Sequence, residues 1–546
     1  MYEFLFKSSN PLSQFLEIEL KLPISQSGEV QLQLPSWRAG RYQFANYAQN
    51  IRKISLSDQQ GKSMQLRKKS KDCWAFDAKV NQTYFLNYEY YAGKMDAGSC
   101  WVDDQQLYIN FVNCCFEVKS SDDFPYSIEI QDSRFKDFVC TLSRKSGGQF
   151  LADSFQELAD STFLTSEKLT HWEYESNHAQ FHIWINGEIA FSKTELLQAF
   201  KNFTDKLIAD FGEFPEKEYH FIFQLLPYKH FHGVEHKKGT VITFGPAQEL
   251  SNPEQFGDLM GVSCHEMYHA WNVCRIRPQE LLPYDFSKEN YSEAGWILEG
   301  ITTYMGDLYL LKSGFFNLDE YLKELDKIIR RVSSNFGWRN KNILDSSLEL
   351  WLDGYQEGIP DRKQNIYANG CLVAFAIDLE LLQQGSSLTE VMGEAWQRFG
   401  KPNIGYDLQT FWKLIQKREG HWDSQTFFRK FIAGNEDILK LLEQLILPFG
   451  MKITKSPNEE ILTKQLGIIL KEGKIQKIHP ESPAYFNLMV GDEIVESKIK
   501  SSQITLEVKR LNGGQHQLSF DEGGNFFPVV QVKKMEETLL MQKWRK

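Results

Sequence analysis

The stretch PEQFGDLMGVSCHEMYHAWNVCRIRP, residues 253 to 278, constrains this chain more than any other. Leu259, Met260, Val262, Met267, Tyr268, Ala270 and Trp271 leave almost no polar side, so a helix here has to be buried all round. The two histidines and the glutamate of His265-Glu266-Met267-Tyr268-His269 are buried with it and need a partner to offset their desolvation. Residues four apart share a helix face, which aims His265 and His269 at one divalent ion. Glu266 lies beside that face, where its carboxylate can act as general base without joining the coordination shell. The flanks predict the helix independently. Asn252 is a cap, Pro253 suits the first helical position, Gln255 completes a capping-box pattern, and Pro278 disfavours helix at Arg277. The helix is expected to span about 253 to 276.

A catalytic site for Zn2+ takes three protein ligands and leaves the fourth position open. Glu299 is the best third ligand. It sits in Trp296-Ile297-Leu298-Glu299-Gly300, early in the next helix and off the apolar stripe of Ile297, Ile301, Tyr304, Leu308 and Leu311. Gly300, Thr303 and Gly306 form a small-residue face expected to approach the first helix closely.

At 546 residues the chain is too long for one core. Runs such as Phe15 to Leu22, Glu29 to Leu34 and Tyr84 to Tyr90 alternate apolar with polar, the period of half-buried strands. From about 190 to 450 the spacing is helical, interrupted by a strand-like run from Tyr219 to Leu226. That run ends at Pro227, and the residues beyond the proline are expected at a strand edge. After Pro448 and Gly450 strand spacing returns. The last dozen residues read as either a short amphipathic helix or a frayed terminus. The fold class is therefore multidomain α+β, with an N-terminal β-rich domain over 1–170, a catalytic domain over 171–330, a helical domain completing the active site over 331–448, and a small β-rich domain over 449–546.

A net charge of -11 argues against a nucleic-acid partner. The basic run Arg67, Lys68, Lys69 and Lys71 reads as a solvated hairpin. No run of apolar residues reaches membrane-spanning length, and the first residues carry no secretory signal, so the expectation is a cytoplasmic protein with no membrane partner. The eight cysteines, without a CxxC pair, read as buried free thiols.

HEMYHAWNVCRIRP at 265 to 278 followed by WILEGITTYMGD at 296 to 307 resembles the glycyl-aminopeptidase family of gluzincin metallopeptidases. The likeness continues through LPSWRAGRY at 34 to 42, HGVEH at 232 to 236, IYANG at 366 to 370 and SPAYFNLMVGDEI at 482 to 494. It implies an N-terminal β domain, a thermolysin-like zinc peptidase domain with a helical extension, and a C-terminal PDZ-like domain. It also implies that Glu235, on an edge strand beside the metal, anchors the free α-amine of a peptide substrate. The backbone of Gly233 and Val234 would then pair with that substrate as an added strand, and Tyr367 would donate to the tetrahedral oxyanion. Asn369 stands where the family usually has lysine. Ala39 and Arg41 stand where it has proline and serine, a difference expected to concern only the β domain's turn. Too few residues separate Asp492 from the strand at Ile504 for a second PDZ helix, which points to a structural role for that domain. His230, His232 and His236 are not read as a second metal site, because no carboxylate spacing accompanies them.

These readings predict zinc-dependent removal of a small N-terminal residue, glycine or alanine, from peptides. The alternatives are a zinc endopeptidase, or a binding or scaffold protein built on a retired peptidase. The sequence does not indicate an oligomeric state.

Overall fold

The computed structural model describes residues 1–546 except 122, 133, 146, 355–357, 501–502 and 522. It is a multidomain α+β protein with an N-terminal β region, a helical centre and a C-terminal β region. The alternating runs near the N-terminus form strands at Phe15–Pro23, Gly28–Gln33 and Thr83–Tyr91. They belong to one sheet of eight strands and one of four, with a further four-stranded sheet beside them. Inward side chains such as Leu16, Ile18, Leu20, Tyr84 and Leu86 build one core. That core does not stop at the β region, since Val273, Leu281, Tyr284, Phe286 and Leu298 pack into it. Residues on either side of the predicted metal ligands are thus anchored in the N-terminal core. The basic run forms a hairpin, with Arg67–Lys68 pairing against Cys73–Ala78 and Arg67 paired to Glu29 and Asp77.

A separate five-stranded sheet borders the candidate site. Its strands are β1 (Leu169–Ser176), β2 (Ala179–Asn186), β3 (Glu218–Leu225), β4 (His230–His236) and β5 (Gly239–Gly245). Their order is β1-β2-β3-β5-β4, with β2, β3 and β5 parallel and the outer two antiparallel. β4, the strand after Pro227, is an edge as the sequence predicts. One face of the sheet packs on helix α1 (Lys193–Phe211), whose Phe200 meets Phe221 and Phe223.

Helix α2 (Pro253–Tyr268) begins where expected, with Asn252 accepting from the Glu254 amide at 2.9 Å and Pro253 in the first turn. The Gln255 half of the capping box is not used. The helix ends at Tyr268, eight residues before the predicted position. Beyond it the chain coils through turns, with Val273 at φ 91°, held by Arg277, whose guanidinium donates to the carbonyls of Val273 and Cys274. Pro278 limits how far a helix can run but does not require it to run that far. Helix α3 (Trp296–Lys312) opens with a π-helical segment, Trp296–Ile301, before becoming regular at Thr302. Its predicted stripe, Ile297 through Leu311, is buried.

In the C-terminal region the strands Met451–Ser456 and Val529–Lys534 pair as a ribbon through which the chain enters and leaves a five-stranded antiparallel sheet. Strands Glu493–Lys500 and Gln503–Lys509 pair directly, and among the described residues no second helix lies between them. The tail is not frayed. Leu539–Trp544 is a helix, and Trp544 is buried against Tyr321 and Phe375 with its indole N–H donating to Tyr304 at 2.9 Å. All eight cysteines are free; seven are buried and Cys140 is partly exposed. Among the described residues no helix is long and apolar enough to cross a membrane.

Candidate metal centre

His265 and His269 project from the last turns of α2, and Glu299 from the π-helical start of α3. The two Nε2 atoms are 3.1 Å apart, and a Glu299 oxygen lies 3.7 Å from the first and 3.5 Å from the second. Donors each about 2.0 to 2.1 Å from a tetrahedral zinc stand about 3.4 Å apart, so the set is spaced for one ion. His269 and Glu299 are buried. The Nδ1 of His269 lies 2.8 Å from the Asn272 carbonyl, which places the proton on Nδ1 and turns the Nε2 lone pair toward its neighbours. The early end of α2 creates this contact, since a continued helix would carry the Asn272 carbonyl along the axis. Asn272 is itself fixed by its side-chain amide, which donates to the carbonyls of Ile297 and Leu298 and to the Thr302 hydroxyl. The three donors therefore fit a divalent cation.

The two helices approach through glycine. A Cβ on Gly306 would lie 3.0 Å from the His265 Cα, as the small-residue face predicts. Gly300 does something else: a Cβ there would lie 2.5 Å from Gly370, on helix α4 (Ala368–Gln383), and not against α2. This crossing sets Tyr367, the residue before α4, beside the Glu299 segment. Asn369, where the resemblance implies lysine, turns away from such a role: its side-chain oxygen accepts from the Asn365 amide at 3.0 Å and closes the turn ahead of α4. Tyr304 and Tyr309 are core residues, with their hydroxyls on Asp378 and Asp210.

Glu266 is buried, and one of its oxygens has no hydrogen-bond partner among the described residues. Burial, with Glu235 and Glu299 alongside, pushes its carboxyl up to about 8. Burial also acts on Glu299 in the upward direction, but contacts to His265 and His269 hold it down to about 2. His269 is raised to about 10, burial notwithstanding, by the Glu299 carboxylate. His265, which shares that carboxylate less closely, is lowered by burial.

Glu235, on β4, has ligand atoms within 4.8 Å of those of Glu266 and His269, and its Oε1 has no partner among the described residues. A Cβ on Gly233 would lie 2.2 Å from a Glu266 oxygen, so the strand passes closely over this carboxylate where it carries no side chain. The turn in LPSWRAGRY belongs to the centre, contrary to the sequence-based expectation. Gly40, at φ 72°, lies so close to the Glu235 carboxylate that a Cβ would be 2.3 Å from Oε2. Arg38 reaches within 3.1 Å of His232 Nε2, while Asp96 lies 2.7 Å from His232 Nδ1. Asp96 supplies the carboxylate the spacing of HGVEH lacks, but the Arg38 guanidinium already occupies the ring's other nitrogen. His236 faces Asp160 at 3.5 Å. Arg38, Gly40, Asp96 and Asn272 have no role assigned from the sequence; Arg38 and Gly40 lie in LPSWRAGRY and Asn272 in HEMYHAWNVCRIRP, while Asp96 lies in none of the segments that carry the resemblance.

Asp96, His232, Glu235, His265, Glu266, His269 and Glu299 line one cleft of about 1800 Å³, together with Gly40, Arg41, Gly233 and Tyr367 and with Gln476, Lys477 and Val490 of the C-terminal region.

Two family models match the chain. Residues 258–373 match the M61 glycyl aminopeptidase model and residues 4–167 the M61 N-terminal domain model. The chain carries M61 peptidase domains. With the M61 peptidase domain built around this donor set, it is a zinc metallopeptidase. The crystal structure of an aminopeptidase N family protein from Idiomarina loihiensis superposes on the whole chain, covering 100% of each at TM-score 0.91 and 22% identity. An M1 zinc metallopeptidase from Deinococcus radiodurans superposes at TM-score 0.50 and 12% identity over 80% of this chain and 94% of its own. At these identities both likenesses concern the fold. No curated protein matches by sequence.

Proposed function

We propose that the chain is a zinc aminopeptidase that removes small N-terminal residues, glycine or alanine, from peptides. His265, His269 and Glu299 are its metal ligands. The observation that carries the reading is the Glu235 carboxylate, which lines the cleft and is buried beside Glu266, with one oxygen that has no hydrogen-bond partner among the described residues. A substrate ammonium is the group that best offsets such a carboxylate.

When bound, zinc supplies Lewis acidity, lowering the pKa of a water to about 7 and polarising the scissile carbonyl. Glu266 accepts the proton from the attacking water at the oxygen that has no other partner and passes it to the departing amine. The cation's charge favours the ionised form of Glu266 that this first transfer needs. Tyr367 donates its phenolic proton toward the developing oxyanion. Glu235 fixes the substrate's amino terminus, and the backbone of Gly233 and Val234 on edge strand β4 pairs with the peptide. Gly40 packs against the Glu235 carboxylate from the N-terminal side. The domain limits 1–170, 171–330, 331–448 and 449–546 and a PDZ-like fold with a structural role for the last of them form part of the same proposal.

The test compares a peptide with a free N-terminal alanine and its N-acetylated form on zinc-loaded protein. The reading expects turnover of the first alone, with Glu235→Gln raising KM for it. Equal turnover of both would indicate an endopeptidase and overturn it.

A further inference from the structure

The outer face of the catalytic sheet carries a second cluster with the same donor set as the first. β1 and β2 are antiparallel, with Glu173 opposite His182 and His171 opposite Trp184. Side chains alternate along a strand, so while Tyr174, Phe181 and Ile183 face the core, His171, Glu173 and His182 share the opposite face. His171 Nε2 lies 3.0 Å from His182 Nδ1, a Glu173 oxygen lies 3.9 Å from the same Nδ1, and all three ligand atoms fall within 4.8 Å of one another. At the catalytic centre the corresponding distances are 3.1, 3.5 and 3.7 Å. The catalytic set is near the spacing of about 3.4 Å that ligands of one tetrahedral zinc require, and in the second set the two contacts to His182 bracket it, with Glu173 left to close on His171.

The rings are also held in place. His171 stacks on Trp184 with centroids 3.9 Å apart and an interplanar angle of 13°. His182 stacks on His220 at 4.9 Å and 20°, and the Trp184 indole N–H donates to His220 Nδ1 at 3.3 Å. Trp184 and His220 thus act as the layer that orients the two ligand rings, which reduces what ordering a metal would cost.

We propose that His171, Glu173 and His182 form a second metal site, for a divalent transition ion such as zinc, copper or nickel. Two imidazoles with one carboxylate select these over magnesium or calcium, which take oxygen donors. With the Glu173 side chain 61% exposed, the site opens to solvent, exchanges its ion readily and binds more weakly than the buried centre. Occupancy ties edge strand β1 to β2. The proposal does not depend on what the enzyme hydrolyses.

The experiment is equilibrium dialysis of the metal-stripped full-length protein against rising free zinc, with bound zinc measured by elemental analysis. Two equivalents are expected for the wild type, the second weaker. His171→Ala/His182→Ala should bind one and keep peptidase activity, and His265→Ala/His269→Ala should keep only the weaker equivalent. Should the histidine double variant not fold, Glu173→Gln, at an exposed position, carries the test by weakening the second equivalent alone. A single equivalent in the wild type, or a second one unaffected by these changes, overturns the proposal.

Discussion

Replacing Gly300 by alanine tests how the centre is held together. A Cβ at this position would lie 2.5 Å from both the Cα and the carbonyl carbon of Gly370, and both are backbone atoms that no side-chain rotation can clear. Carbon atoms pack at about 3.5 to 4.0 Å, so α3 and α4 have to separate by about 1 Å at their crossing. Glu299 is the residue before that crossing on α3, and Tyr367 lies three residues before it, immediately ahead of α4. A 1 Å misplacement of reacting groups costs about 10²-fold in rate, and overpacking of this kind costs about 1 to 3 kcal/mol in stability. Gly300→Ala should therefore lower kcat for an N-terminal alanine peptide about 100-fold and shift the denaturation midpoint downward. Gly261→Ala is the control for folding and zinc content, because its Cβ would meet nothing nearer than Asp307 Oδ1 at 3.7 Å, an ordinary contact. Both quantities are read from steady-state kinetics and urea unfolding of the zinc-loaded proteins. Wild-type kcat and stability in Gly300→Ala would refute the claim that this close crossing positions Glu299 and Tyr367.

Three further outcomes are expected from the same geometry. Glu266→Gln should lose about 10²- to 10⁴-fold in kcat while keeping its zinc, as checked by kinetics and elemental analysis. Zinc affinity should rise with pH, because Glu299 holds a proton on His269 up to about 10 and that proton has to leave before the ring can ligate; with Glu266 also raised, at least one proton leaves per ion, which gives binding tighter by about tenfold or more per pH unit, and a flat titration between pH 6 and 8 would contradict it. Trp544→Ala removes a buried indole and its hydrogen bond to Tyr304 on helix α3, so unfolding free energy should fall by about 3 to 5 kcal/mol, measured by denaturant titration.

The parts of the fold legible in the sequence are those fixed locally. Asn252 and Pro253 start α2 through contacts within one turn, the alternation of Phe15 to Leu22 makes a strand whatever its neighbours, and residues four apart meet on one helix face. The parts that were not legible depend on residues far off in the chain. The end of α2 at Tyr268 is set by Asn272 reaching the carbonyls of Ile297 and Leu298, which the propensity of the segment does not record. Arg38, Gly40 and Asp96 reach β4 from another sheet system, about 200 residues away in sequence for Arg38 and His232, and LPSWRAGRY by itself looks like any β turn. Gly300 showed that α3 needs a close neighbour but not which helix supplies it. Trp544 lies in a charged, short terminal segment whose docking depends on a core formed by Tyr321 and Phe375.

The most direct test of the account is anomalous diffraction at the zinc edge from crystals of the zinc-loaded protein. The account predicts a strong peak about 2.0 to 2.2 Å from His265 Nε2, His269 Nε2 and a Glu299 oxygen, with Glu235 and Tyr367 facing it across the same cleft. A peak that does not contact Glu299, or none between α2 and α3, would contradict it.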